Sequence, residues 1–112
     1  MMTLTIGIRG WACIMLAAGC FFLLSAGCSR VPEGNVEDGE RWYKLHRCNG
    51  CHGEDGTGGR GPVLAGTPLS FNRFLHKVRS PDSAIMPAYG NDRLPDKDAG
   101  EIYLWLLQQN KE

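Results

Sequence analysis

Beyond residue 27 the chain has only three cysteines, Cys28, Cys48 and Cys51, too few for the disulfide framework that steadies many small exported domains. It has no surplus of either charge: 12 Lys and Arg stand against 12 Asp and Glu. That balance excludes a strongly basic nucleic-acid footprint and gives no polybasic membrane patch. It has no convincing alternating strand run and no internal repeat. Its glycine-rich stretch, Gly53 to Gly66, lacks the lysine-serine or lysine-threonine pair of a phosphate-binding loop and joins no strand to a helix.

The first 27 residues in turn lack every charge but Arg9. A short basic start, an apolar stretch from Trp11 to Gly27 and the small residues Ser25-Ala26-Gly27 describe a secretory signal. The stretch lies at the lower edge of the roughly 17–25 residues a membrane span needs, so an uncleaved anchor is the alternative. Either way the remainder is expected outside the cytoplasm, on the periplasmic or cell-surface side. Leu24-Ser25-Ala26-Gly27-Cys28 resembles a bacterial lipobox, with Ser25 where a larger aliphatic residue is usual. It marks Cys28 as the candidate lipidation site, against ordinary cleavage or a retained anchor. Residues 28–34 then form the anchor cysteine and tether, and 35–112 the folded domain.

Within that domain Asn35 is placed to N-cap a helix running to about His46, with acidic residues in its first turns and Lys44, His46 and Arg47 in its last. Gly53 to Gly66 reads as irregular loop. Leu69 to Arg79 reads as a short helix with Phe71, Phe74, Leu75 and Val78 on one face, stopped by Ser80-Pro81. After a second irregular stretch to Leu94, a last helix is expected from Pro95-Asp96 to about Gln109. Its middle is apolar almost all round, so it needs burial against more than one surface. The fold class is mainly α, three to four short helices with much loop.

Cys48-Asn49-Gly50-Cys51-His52 carries the chemistry. Two thiols at this spacing can reach the two vinyl groups of one haem and form thioethers, with the adjacent His52 beneath the iron. The alternatives are a zinc half-site, a thioredoxin-like pair or a disulfide. Zinc wants further ligands of similar spacing and the redox pair wants a βαβ context, and the chain offers neither. A second axial ligand would come from Met86, which stands before Pro87 in the second irregular stretch. His46, His76 and an open sixth site are the other choices.

The segment from Glu37 to Leu107 resembles the class I cytochrome c family, particularly its short bacterial mono-haem members. The elements that carry the resemblance are Gly39-x-x-x-Tyr43 before the Cys-x-x-Cys-His motif, Gly59-x-Gly61-Pro62-x-Leu64, Arg79-x-Pro81-x-x-x-x-Met86-Pro87, and the last helix with Tyr103 and Trp105. The resemblance implies helices wrapped around one covalent haem c on Cys48 and Cys51, with His52 and Met86 on the iron. It implies a Pro62 carbonyl facing the His52 ring N–H and first and last helices crossing at Gly39. One spacing departs from the family: four residues, not three, separate Tyr43 from Cys48. Either the turn is one residue longer, or Trp42 and Tyr43 share the packing role differently. The function implied is a single-electron carrier, not an enzyme, working between redox protein partners and held at a membrane by its N-terminal lipid or anchor. A gas sensor or peroxidase, and a fixed subunit of a larger oxidoreductase, are the competing readings.

Overall fold

The computed structural model describes residues 32–110. The leader expected over residues 1–27, Cys28 and most of the tether lie outside the described residues. Among the described residues four helices follow one another: α1 (Val36–Leu45), α2 (Asn49–His52), α3 (Phe71–Arg79) and α4 (Asp96–Gln108). Among the described residues there is no strand, and no helix is long and apolar enough to cross a membrane.

α1 begins where the Asn35 side chain accepts a hydrogen bond from the Glu37 N–H at 3.0 Å, satisfying a backbone donor the helix leaves free. Its end explains the unusual spacing. The Cys48 N–H donates to the Tyr43 carbonyl and the Arg47 N–H to the Lys44 carbonyl, each at 3.0 Å. This is a Schellman closure, with Arg47 at the left-handed position (φ 60°) where glycine is usual. The additional residue is thus absorbed in the turn, and Tyr43 keeps its place. It is fully buried, donates its hydroxyl to the Gly53 carbonyl at 2.7 Å and packs 4.9 Å from the Trp105 ring.

α1 packs on α4, and the crossing is at Gly39. A Cβ there would come within 2.8 Å of Trp105 Cβ and closer still to the Glu101 carbonyl. The helix tolerates this glycine, at about 1 kcal/mol in propensity, because the second backbone occupies the space. α4 buries three faces, as its all-round apolar middle requires. Glu101 and Trp105 meet α1. Tyr103 meets Phe71 and Phe74 of α3 at 5.5 and 5.3 Å between ring centroids, and Ile102 and Leu106 face the interior beneath the loops. Leu107 remains exposed.

α3 starts two residues later than the apolar spacing predicts. Ser70 caps it by accepting from the Arg73 N–H, and the Leu69 N–H is already taken by the Thr67 hydroxyl. Phe71, Phe74 and Val78 are buried as expected, with Leu75 half-buried.

Candidate functional site

α2 is a single helical turn, closed by the His52 N–H donating to the Cys48 carbonyl at 2.9 Å. It holds Cys48, Cys51 and His52 beside an apolar cleft. The inner part of the cleft, about 400 Å³, is walled by Leu64, Phe74, Val78, Leu94, Ile102 and Leu106, with Tyr43, Cys48, His52 and Met86 contributing the chemistry. The outer part, about 330 Å³, opens past Cys51, Arg47 and Arg60. Cys48, His52, Pro62, Met86 and Tyr89 line both parts, so they form one continuous cleft.

His52 is 8 % exposed. Its Nδ1 lies 2.8 Å from the Pro62 carbonyl oxygen. A carbonyl only accepts, so Nδ1 carries the proton and Nε2 is left with the lone pair that binds a metal. The loop reaches the ring because residue 61 is glycine: a Cβ there would lie 2.9 Å from both His52 Cε1 and Nδ1. The Gly61 N–H donating to the Cys51 carbonyl at 2.8 Å, and the Gly58 N–H to the His52 carbonyl at 2.7 Å, fold the glycine-rich stretch over this side of the cleft.

Cys48 and Cys51 are not joined in a disulfide. Burial pushes the Cys48 thiol up to about 11, so it stays protonated at neutral pH, unlike the activated thiol of a dithiol oxidoreductase. No group of three or more His, Cys, Asp or Glu side chains suited to a metal ion occurs among the described residues, which leaves the zinc reading without its further ligands.

Met86 is half-buried on the loop between α3 and α4. That loop is pinned at both ends. The Lys77 ammonium pairs with Asp82, and the Tyr89 N–H donates to the Val78 carbonyl at 3.0 Å. Arg79 reaches across its far end, donating to the Tyr89 carbonyl at 2.8 Å and to the Asp96 carboxylate at 2.7 Å. Neither His46 nor His76 lines the cleft. The His46 ring stands edge-on to Tyr89, and burial lowers its pKa. His76 is exposed on α3, in a surface groove with Arg73 and Lys77.

Two residues matter more than their sequence positions suggest. Arg79 is the staple of the Met86 loop. Glu101, which reads as an acidic residue suited to a helix start, is 1 % exposed at the α1–α4 crossing. Its carboxylate accepts from Trp42 Nε1 at 2.7 Å, the Asn35 N–H at 3.2 Å and Lys97 Nζ at 2.9 Å. Burial alone would raise its pKa, but those donors outweigh it and hold the carboxyl below its ordinary value. The signal that could have found it is Trp42, whose indole N–H needs an acceptor once buried against the second helix.

The residues fit a haem as the resemblance implies. The walls are apolar enough for a flat macrocycle, two thiols stand at one edge, an oriented imidazole offers Nε2, and a thioether lines the same space. Compared with known proteins, the chain matches a family model described as cytochrome C oxidase, cbb3-type, subunit III, over residues 34–106. No curated protein and no solved structure matches it.

Proposed function

The chain belongs to this family of c-type cytochrome domains, and on that premise we propose that it is a single-electron carrier with histidine–methionine ligation of one haem c. Its fold is the small cytochrome c fold, and the haem it carries is covalent. In our reading Cys48 and Cys51 would hold the haem through thioethers, His52 Nε2 and Met86 Sδ would supply the iron's two protein ligands, and Pro62 orients the imidazole. The haem supplies a ferric–ferrous couple. The observation that carries the reading is the 2.8 Å contact of His52 Nδ1 with the Pro62 carbonyl oxygen, which fixes the tautomer a proximal ligand needs.

The chain's own residues supply the rest. The Pro62 carbonyl keeps the ring from turning and makes it a better donor. The Met86 thioether, a soft ligand, favours the reduced state and raises the potential relative to a second nitrogen. Two ligands from the chain would leave substrate no place on the metal, and the opening beside Cys51 is where a group held in the cleft would come nearest to solvent. The apolar walls keep water out, which favours the oxidation state of lower net charge.

A fixed place in a larger complex is favoured by one finding, the family description itself, which names an oxidase subunit. The leader and Cys28 support an exported domain held at a membrane. Two measurements test the proposal. Haem that stays with the polypeptide through acidic organic extraction supports thioether attachment, and haem that leaves overturns it. Size-exclusion of detergent-solubilised membranes separates a freestanding carrier from a subunit that travels with an oxidase.

A further inference from the structure

The sequence holds one Asn-Gly pair, Asn49-Gly50, and it lies between Cys48 and Cys51. The other asparagines, Asn35, Asn72, Asn91 and Asn110, each precede a residue with a Cβ. Before glycine, an asparagine is open to attack from its own chain, because no Cβ holds the next nitrogen away. The Gly50 nitrogen would bond to Asn49 Cγ, the Cγ–Nδ2 bond would break, and ammonia would leave with the Gly50 amide proton. Water then opens the five-membered ring at either carbonyl, giving aspartate or isoaspartate with no change of oxidation state. Isoaspartate routes the main chain through Cβ and so lengthens it between the two cysteines. The Gly61 bond to the Cys51 carbonyl and the Pro62 contact with His52 are both built on that turn.

The fold closes this route at each reacting atom. The Gly50 N–H, which would supply the nucleophile, donates to the Arg47 carbonyl at 3.1 Å, and the Asn49 carbonyl accepts from the Gly53 N–H at 3.1 Å. Asn49 Nδ2, the leaving group, donates to Glu54 Oε1 at 3.0 Å. Both residues lie in α2, and ring closure needs Cβ and the next nitrogen eclipsed about the Cα–C bond, which helical ψ does not give. We propose that Asn49 is a latent deamidation site, latched by Glu54 and by the turn itself. Molecules that keep the turn keep their amide, and chains that lose it are altered irreversibly. Asn49 and Gly50 line neither part of the cleft, so the latch does not rest on the haem reading. Asp38-Gly39 and Asp55-Gly56 can close the same ring only by losing water, and they return from it with their mass unchanged.

The test follows amide loss at residue 49 by peptide mass spectrometry of the full-length holoprotein, incubated in mildly alkaline buffer. Wild type in guanidinium chloride should lose the amide at least about tenfold faster than in buffer, because only opening of the turn admits the reaction. In buffer, Glu54→Ala should react about twofold to tenfold faster than wild type, the equivalent of one hydrogen bond. Glu54→Gln keeps an acceptor oxygen and should stay near wild type. Glu54 is exposed, and circular dichroism of each variant separates an open latch from an unfolded domain. Gly50→Ala, whose Cβ would meet nothing within 4 Å, should suppress the reaction in denaturant. Equal rates in buffer and denaturant would overturn the proposal, as would a folded Glu54→Ala no faster than wild type. So would amide loss that appears first at Asn35, Asn72 or Asn91.

Discussion

Trp42 and Glu101 clasp the first helix to the last: the indole Nε1 donates to the Glu101 carboxylate at 2.7 Å, at the crossing that Gly39 makes possible. The clasp also holds the domain's entry, because the other carboxylate oxygen accepts from the Asn35 N–H and from Lys97. The clasp adds a buried polar contact to the one cluster of apolar side chains that the helices share. Replacing Glu101 by Ala leaves two backbone or indole donors unmatched and is expected to lose about 2–4 kcal/mol. Trp42→Phe keeps the carboxylate paired with Asn35 and Lys97 and is expected to lose about 1–2 kcal/mol. Denaturant unfolding of both variants checks the order.

The same carboxylate sets an acid limit. Its folded pKa lies below the ordinary value, so its contribution is complete above the ordinary glutamate range. It is lost as the pH falls through the lowered folded value. Glu101→Gln should therefore be less stable than wild type at neutral pH, with the gap narrowing in acid. A gap that stays constant down to the acid transition would contradict this.

Gly39→Ala should be among the most damaging single-atom additions. Alanine improves helix propensity by about 1 kcal/mol, but its Cβ would collide with the Glu101 carbonyl and Trp105 Cβ, and overpacking of that kind costs about 3 kcal/mol or more. Thermal unfolding with haem content measured in parallel decides which effect wins.

Arg47 is expected to show the reverse. Arg47→Gly removes the left-handed strain and should stabilise the domain by about 0.5–1 kcal/mol, whereas Arg47→Val, β-branched at the same φ, should destabilise it. Chemical denaturation of the pair reads the difference.

Arg79 bridges the Tyr89 carbonyl and the Asp96 carboxylate. Arg79→Lys cannot span both acceptors with a planar fork and should loosen the Met86 loop, costing about 1–2 kcal/mol. The readout that separates this from simple instability is faster uptake of cyanide by the oxidised protein under native conditions.

Much of this was legible from the chain. The Cys48–His52 motif, the Asn35 cap, the apolar face of α3 and the burial of α4 against more than one surface all follow from local spacing and helix chemistry. α2 escaped, because one helical turn has no periodicity to read. The Tyr43–Cys48 spacing left two explanations open, and only a backbone dihedral at Arg47 separates them. The Glu101 clasp escaped for a different reason: an acidic residue in the first turns of a helix has a sufficient local explanation, and the partner that buries it lies 59 positions away. Met86 lines the cleft, and its bond to iron stands as part of the proposal.

In the proposed function Met86 closes the iron and so makes the domain a carrier. Carbon monoxide titration of the reduced protein, wild type beside Met86→Ala and followed by visible absorption, tests it most directly. The wild type is expected to show no spectral change. The variant is expected to bind carbon monoxide saturably, with its haem still covalently attached and its reduction potential lower. Ready binding by the wild type, or a variant that behaves like it, would contradict the account.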